Sequence, residues 1–336
     1  MAKYFKDTES FIRAAGEKYG LNERQKQLLR ELAEKRDKER AERKKKALKT
    51  CGLLLAAVLL VVGWHFLRRP RHTFPNEDKL VMHFIDVQQG DCTFIAANGA
   101  TMLVDCGEDA LSDEVVTYLR RLGVGRLDYI IATHPHSDHM GGMYNIIDTF
   151  DVGEVLIPHI PDEQIPDTLY YERFLDSCRK AHVKLSETDA GRTLTLGEAE
   201  VKFIAPDGGL HEDLNNYSLG FILTYGKKSF LLTGDAEAES EAAMLYSGLL
   251  GKVSLYKAGH HGSAYSSTDA LLEVIRPDAA VISCGSENPY GHPAQSTLER
   301  LGRYTDNIFR TDTCGTIIAE SDGKKLSVSV ERGGKR

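Results

Sequence analysis

The spacing of apolar and polar positions changes three times along the chain. Phe11, Ile12, Ala15 and Tyr19 recur at helical intervals as far as Gly20. Asn22 then stands where an N-cap belongs, with Gln25 at the capping-box position and Leu28, Leu29 and Leu32 behind it. The remainder up to Lys49 is almost all charge, so residues 1–49 read as a basic helical arm. Thr50 to Leu67 is 18 residues without Lys, Arg, Asp or Glu. A helix of that length spans about 27 Å, close to the hydrocarbon core of a bilayer.

The pattern therefore predicts a single transmembrane anchor over 50–67, with Trp64 and His65 near the interface. The 49 residues before it, and the lack of a small-residue cleavage site, argue against a signal peptide. The basic excess on the N-terminal flank predicts a cell-membrane protein with a cytoplasmic N-terminus and its large domain outside. Residues 68–78, with Pro70 and Pro75, read as a short stiff linker.

From Lys79 the period shortens to that of strands. Leu80–Val87, Thr93–Ala97, Thr101–Val104, Tyr129–Ala132, Val155–Ile157, Val201–Ile204, Gly220–Tyr225, Ser229–Leu232, Val253–Tyr256 and Ala279–Ser283 are β-rich apolar runs. Helical patterns intervene at Asp113–Leu122, Thr168–Ala181, Ala236–Ser247, Thr268–Ile275 and Ser296–Tyr304. Strands with interspersed helices imply a layered α/β domain over 79–330, leaving a tail at 331–336.

Composition sharpens this division. Of 336 residues, 42 are Lys or Arg and 49 Asp or Glu, a net charge of −7. Residues 1–72 hold 19 basic against 9 acidic residues, and the rest holds 23 against 40. A basic arm thus precedes an acidic domain. Ordinary Gly and Pro content excludes collagen and low-complexity disorder, and six Cys without a C-x-x-C exclude a disulfide miniprotein.

The chemistry gathers at strand ends. Ile130–Thr133 runs into His134-Pro-His136-Ser-Asp138-His139, four metal-ligating side chains in six residues. Imidazole with carboxylate suits zinc, iron or manganese. Phe230–Gly234 delivers Asp235, and Val253–Tyr256 leads to Gly259-His260-His261-Gly262-Ser263. Each of these alone is weak, because an Asp after a strand commonly caps the next helix. Together with the first cluster they form a site.

As a set, these motifs resemble the metallo-β-lactamase superfamily. Phe84-Ile85-Asp86-Val87-Gln88-Gln89-Gly90-Asp91, Leu103–Gly107, Tyr290-Gly291-His292-Pro293 and Arg310-Thr311-Asp312-x-x-Gly315-Thr316 are similar to the hydrolase domain of ComEC-type DNA-uptake (competence) proteins. Gln88 stands where that group has Gly, and Cys106 interrupts its usual double Gly. The resemblance spans about residues 79–330. It implies an αββα sandwich with one or two divalent ions, Zn²⁺ or Mn²⁺, at one sheet edge. His134 and His136 would hold the first ion. Asp138, His139 and one of His260 or His261 would hold the second, with Asp235 bridging. Asn215 stands in the segment where the superfamily often has another histidine, and its amide oxygen favours a harder ion. His211 is nearby, but its Gly-rich setting fits a surface loop.

The activity implied is metal-assisted hydrolysis of a phosphodiester, either nuclease-like or on a small diester. Asp138 or Asp235 would orient the nucleophile. His292, or whichever of His260 and His261 is not a ligand, would stabilise the oxyanion or protonate the leaving group. Asp86, Asp91 and Asp105 would orient the ligands. The acidic domain disfavours DNA as partner, since non-specific nucleic-acid binders present basic faces. Hydrolysis of a carboxylic ester, thioester or lactam is the enzymatic alternative. The other is a non-catalytic membrane-anchored interaction protein on a hydrolase scaffold.

Overall fold

The structure, a computed structural model, describes residues 78–332 and, nearer the N-terminus, 8–50 apart from 21, 29, 33, 36, 39, 40 and 47. The chain divides into two units, Met1–Pro70 and Arg71–Arg336. In the first, a helix covers Thr8–Tyr19 and stops at Gly20, whose φ of +65° suits a residue without a side chain. Asn22 and Gln25 exchange side-chain-to-backbone bonds of 2.9 and 3.0 Å, a capping box.

Among the described residues no helix is long and apolar enough to cross a membrane. That overturns the expected single-pass placement in the cell membrane. Residues 51–77, to which the sequence assigns most of the anchor and the linker, lie outside the described residues.

Among the described residues the second unit has fifteen strands. They are β1 (Leu80–Phe84), β2 (Thr93–Ala97), β3 (Ala100–Val104), β4 (Arg126–Ile131), β5 (Asp151–Pro158), β6 (Lys184–Thr188), β7 (Thr193–Leu196) and β8 (Ala199–Phe203). There follow β9 (Phe221–Tyr225), β10 (Lys228–Leu232), β11 (Leu255–Lys257), β12 (Ala279–Ile282), β13 (Ile308–Arg310), β14 (Ile317–Ser321) and β15 (Leu326–Val330). One sheet runs β15-β14-β1-β2-β3-β4-β5-β6 and the other β13-β12-β11-β10-β9-β8-β7.

The strand alternation explains the layers. On β2, Ile95 and Ala97 face the other sheet while Phe94 and Ala96 face the helices Ser112–Arg121, Met143–Thr149 and Leu169–Ala181. On β12, Val281 joins the layer between the sheets, whereas Ala280 and Ile282 pack under the helices Asp269–Ile275 and Gln295–Gly302. Strands covered on both faces read as continuous apolar runs, which is why the central ones are visible in the sequence. The architecture is the αββα sandwich.

The apolar pattern misses the edge strands β6, β7, β13 and β15 and, inside the first sheet, β14. β6, β7 and β15 turn Lys, Thr and Ser side chains to solvent. The five described cysteines are free thiols.

Candidate metal centre

Parallel pairing brings the chemistry to one edge. β3 and β4 run parallel, as do β10, β11 and β12, so their C-terminal ends leave each sheet on the same side. Asp105 follows β3, His134–His139 follow β4, Asp235 follows β10, and His260 and His261 follow β11. Their side chains meet across the sandwich under a cavity of about 340 Å³. That cavity is lined by Gln89, His136, Ser137, Asp138, Tyr170, Asn215, Asp235, His260, His261, Tyr290 and His292.

Three buried atoms form a nearly equilateral triangle. His139 Nε2 lies 3.2 Å from Asp235 Oδ2 and 3.3 Å from His261 Nε2, and the latter two are 3.3 Å apart. Asp138 Oδ2 adds a corner, 3.1 Å from His261 Nε2 and 4.0 Å from His139 Nε2. Donors about 2.0–2.1 Å from one ion in a tetrahedral array stand about 3.3 Å from each other. The spacing therefore fits a single metal ion. Beside it, His134 Nε2 and His136 Nδ1 face each other at 3.0 Å, a second donor pair. Asp235 Oδ1 and Asn215 Oδ1 are buried without a hydrogen-bond partner, which a cation would supply.

Outer contacts fix which ring nitrogen each imidazole presents. His261 Nδ1 donates to the Ser283 carbonyl at 3.1 Å, and His139 Nδ1 donates to Asp105 Oδ2 at 2.8 Å. His134 Nδ1 lies 3.1 Å from Thr133 Oγ1, which itself donates to Asp105 Oδ2 at 2.7 Å. Each of these three rings is left with Nε2 toward the centre. Asp105 also accepts the Thr133 amide at 2.8 Å, so one buried carboxylate braces two histidines.

The electrostatics match. Burial alone would raise Asp235 and lower His139 and His261. Mutual attraction wins, holding Asp235 well below the usual carboxylate range and raising His139, with His261 at about 10. Asp138 is likewise held low by His139 and His261 against its burial. A divalent cation would replace the two imidazolium protons that balance these carboxylates. His134 is the exception: burial, then the charge of His139, pushes it well below its ordinary value.

The residues the sequence assigns to metal binding or catalysis reach this edge, but with different placements. His261 stands in the triangle, whereas His260 Nε2 is 3.8 Å from Asp235 and its Nδ1 is 3.2 Å from Glu237 Oε1. Both have positive φ, 48° and 54°, a strained backbone of the kind that collects at functional sites. His292 lies 5.4 Å from His260 between ring centroids, and burial lowers it to about 4. Asp91 reaches the Nδ1 sides of His139 and His261, at 3.9 and 3.8 Å, so it backs the triangle rather than completing it.

Two expectations need correction. Asp86 accepts the Gln88 amide at 3.1 Å and pairs with Arg332 at 3.0 Å, outside the cavity, and orients no ligand. His211 is buried rather than on a surface loop, its Nδ1 2.9 Å from Glu239 and its ring 4.9 Å from Tyr217. It too is outside the cavity.

Sequence reasoning missed Lys257, a buried ammonium bonded to Asp91. The signal was there: a lysine closing the apolar run Val253–Tyr256, where only a paired charge can be buried.

Fold and site together define a class: the chain belongs to the metallo-beta-lactamase superfamily of metal-dependent hydrolases, whose family model matches residues 85–286. Among curated proteins it is similar to Recombination protein 2 of Haemophilus influenzae, 32% identical over 253 residues, or 74% of this chain and 30% of that one. ComE operon protein 3 of Bacillus subtilis is 30% identical over 251 residues, covering 69% and 32%. Competence protein ComA of Neisseria gonorrhoeae is 27% identical over 272 residues, covering 79% and 35%. The chain spans about a third of the length of these relatives.

Proposed function

We propose that the domain over residues 79–330 is a metal-dependent phosphodiesterase acting on a short or single phosphodiester. The observation that carries it is the triangle of His139, Asp235 and His261 beside the pair His134 and His136, with Asp235 Oδ1 buried and unpartnered. His139, His261, Asp138 and Asp235 would hold one ion. His134, His136, the free oxygen of Asp235 and Asn215 Oδ1 would hold another, and the amide oxygen favours Mn²⁺ over Zn²⁺ there. A bound ion supplies a hydroxide nucleophile at neutral pH and neutralises charge on the phosphoryl oxygens.

The chain's own groups do the rest. Asp138 lines the cavity and orients the attacking water. His292, neutral at pH 7 because its pKa is lowered to about 4, acts as a hydrogen-bond donor to the developing oxyanion. His260, with its Nδ1 3.2 Å from Glu237 Oε1, stands beside it to protonate the leaving oxygen.

The competence relatives support a nucleic-acid phosphodiester. The excess of acidic residues after position 72 opposes a long polyanion, and no Lys or Arg lines the cavity. A short diester satisfies both.

The test is to purify the full chain, measure bound metal, and assay bis(p-nitrophenyl) phosphate, DNA and nitrocefin with and without Mn²⁺. Metal-dependent turnover of the small diester, lost in a His136→Ala, Asp138→Ala double variant, is expected. Nitrocefin turnover alone would shift the reading to a lactam or ester hydrolase. Salt-sensitive DNA cleavage would restore the polymer, and neither metal nor turnover would end the hydrolase reading.

A further inference from the structure

One side chain lining the cavity has no part in the reaction above. Gln89 sits on the loop between β1 and β2, and its Oε1 accepts the Gly285 amide at 3.2 Å. That bond decides the orientation of the side-chain amide, because a backbone N–H can only donate and must face oxygen rather than NH2. The NH2 group is left without a hydrogen-bond partner among the described residues, on a side chain that lines the cavity.

The loop carrying Gln89 is held on both sides. A Cβ at Gly90 would stand 2.4 Å from the Asp138 carbonyl, and one at Gly285 would stand 2.7 Å from the Gln89 nitrogen. Glycine at both positions lets the loop close against the ligand-bearing turn and the segment after β12. Between them Gln88 takes a φ of +59°, a strained conformation for a residue with a side chain. The Asp91 amide donates to the Asp138 carbonyl at 3.0 Å and fixes the register.

The same wall carries His292. Asn288 Nδ2 donates to the Gly285 carbonyl at 2.9 Å and to the His292 carbonyl at 2.5 Å, while its Oδ1 accepts the His292 amide at 3.0 Å. A hydrogen-bonded strap of Gln89, Gly285, Asn288 and His292 thus presents an amide and an imidazole to one cavity. With no Lys or Arg among the lining residues, neutral donors are the groups left on this wall to meet an anionic oxygen.

We infer that Gln89 is a substrate-binding residue whose amide NH2 donates to a non-bridging oxygen of the phosphodiester. The inference rests on the phosphodiesterase reading for the identity of that substrate. A neutral donor suits a diester, which carries one charge, and spares the neighbouring carboxylates a fixed cation that would compete for them.

The test is calorimetric binding of inorganic phosphate to the Mn²⁺-loaded full chain, for wild type, Gln89→Glu and Gln89→Met. Gln89→Glu keeps the acceptor for Gly285 and replaces the donor by a charged oxygen. Gln89→Met removes both. With metal content equal, phosphate affinity is expected to fall about tenfold in Gln89→Met, and further in Gln89→Glu. Equal affinity in all three proteins, or no phosphate binding by wild type, would overturn the assignment. Turnover of bis(p-nitrophenyl) phosphate, measured on the same samples, judges the activity separately. Gln89-dependent phosphate binding without diester turnover would remove the phosphodiesterase reading and leave Gln89 as a phosphate-binding residue.

Discussion

Lys257 and Asp91 join the two sheets at the edge where the candidate metal ligands converge. The ammonium ends β11 in one sheet, the carboxylate precedes β2 in the other, and both side chains are almost fully buried. Burial alone would lower Lys257, yet Asp91 raises it above its ordinary value, so the ion pair persists in the interior.

Breaking that pair from one side leaves a charge with no compensation. Lys257→Met is expected to destabilise the protein by about 3–5 kcal/mol, and adding Asp91→Asn to recover most of the loss. Urea denaturation of the single and double variants measures both. A single variant within about 1 kcal/mol of wild type would show that water reaches Asp91.

Asp105 stands one hydrogen bond behind the candidate metal site. It accepts from His139 Nδ1 and from the Thr133 hydroxyl that His134 also meets, so Asp105→Asn disturbs two imidazoles at once. Metal affinity should fall about 10- to 100-fold, the range for loss of such an outer partner. A competition titration with a chelating dye reads this directly, and unchanged affinity would show that packing alone orients the rings.

Away from the centre, His83 makes stability depend on pH. It lies on β1 with Nδ1 2.9 Å from the Tyr118 hydroxyl, and burial lowers its pKa to about 4. In the unfolded chain it titrates near 6.5. Below that value the unfolded state gains a proton that the folded state refuses. The contribution is therefore fully present above about pH 6.5, is lost as pH falls toward 4, and amounts to about 3 kcal/mol. With metal removed from both proteins, His83→Leu should lose about 2–3 kcal/mol less than wild type between pH 7 and 4.5. Parallel stability curves would place His83 in contact with water.

The sandwich and the His/Asp cluster at its edge were legible because buried strands and clustered imidazoles leave strong local marks. Central strands such as β10 and β12 are apolar on both faces, and His134–His139 is compact enough to read as a unit. Edge strands such as β15, Leu-Ser-Val-Ser-Val, put polar side chains on one face and blend into loops. Neither Lys257 nor Gln89 could be assigned from its neighbours. Their partners, Asp91 and Gly285, are 166 and 196 residues away in sequence and meet them only when the two sheets stack. The choice between His260 and His261 had the same cause, since adjacent residues differ only in which way the turn points them.

The turn brings only His261 into the triangle with His139 and Asp235, and the consequence can be measured. His261 Nε2 lies within 3.1–3.3 Å of Asp138, Asp235 and His139, with its other nitrogen on the Ser283 carbonyl. His260 Nδ1 lies 3.2 Å from Glu237 Oε1, and its ring stands 5.4 Å from that of His292. His261→Ala should therefore cost metal, with affinity falling about 100-fold or more and activity following metal occupancy. His260→Ala should keep its metal and lose about 10²–10⁴ in kcat if its imidazole serves the leaving group. Metal analysis separates the two outcomes before any kinetics are run. If His260→Ala loses its metal and His261→Ala keeps it, the ligand assignment is reversed and His261 moves to the proton-transfer role.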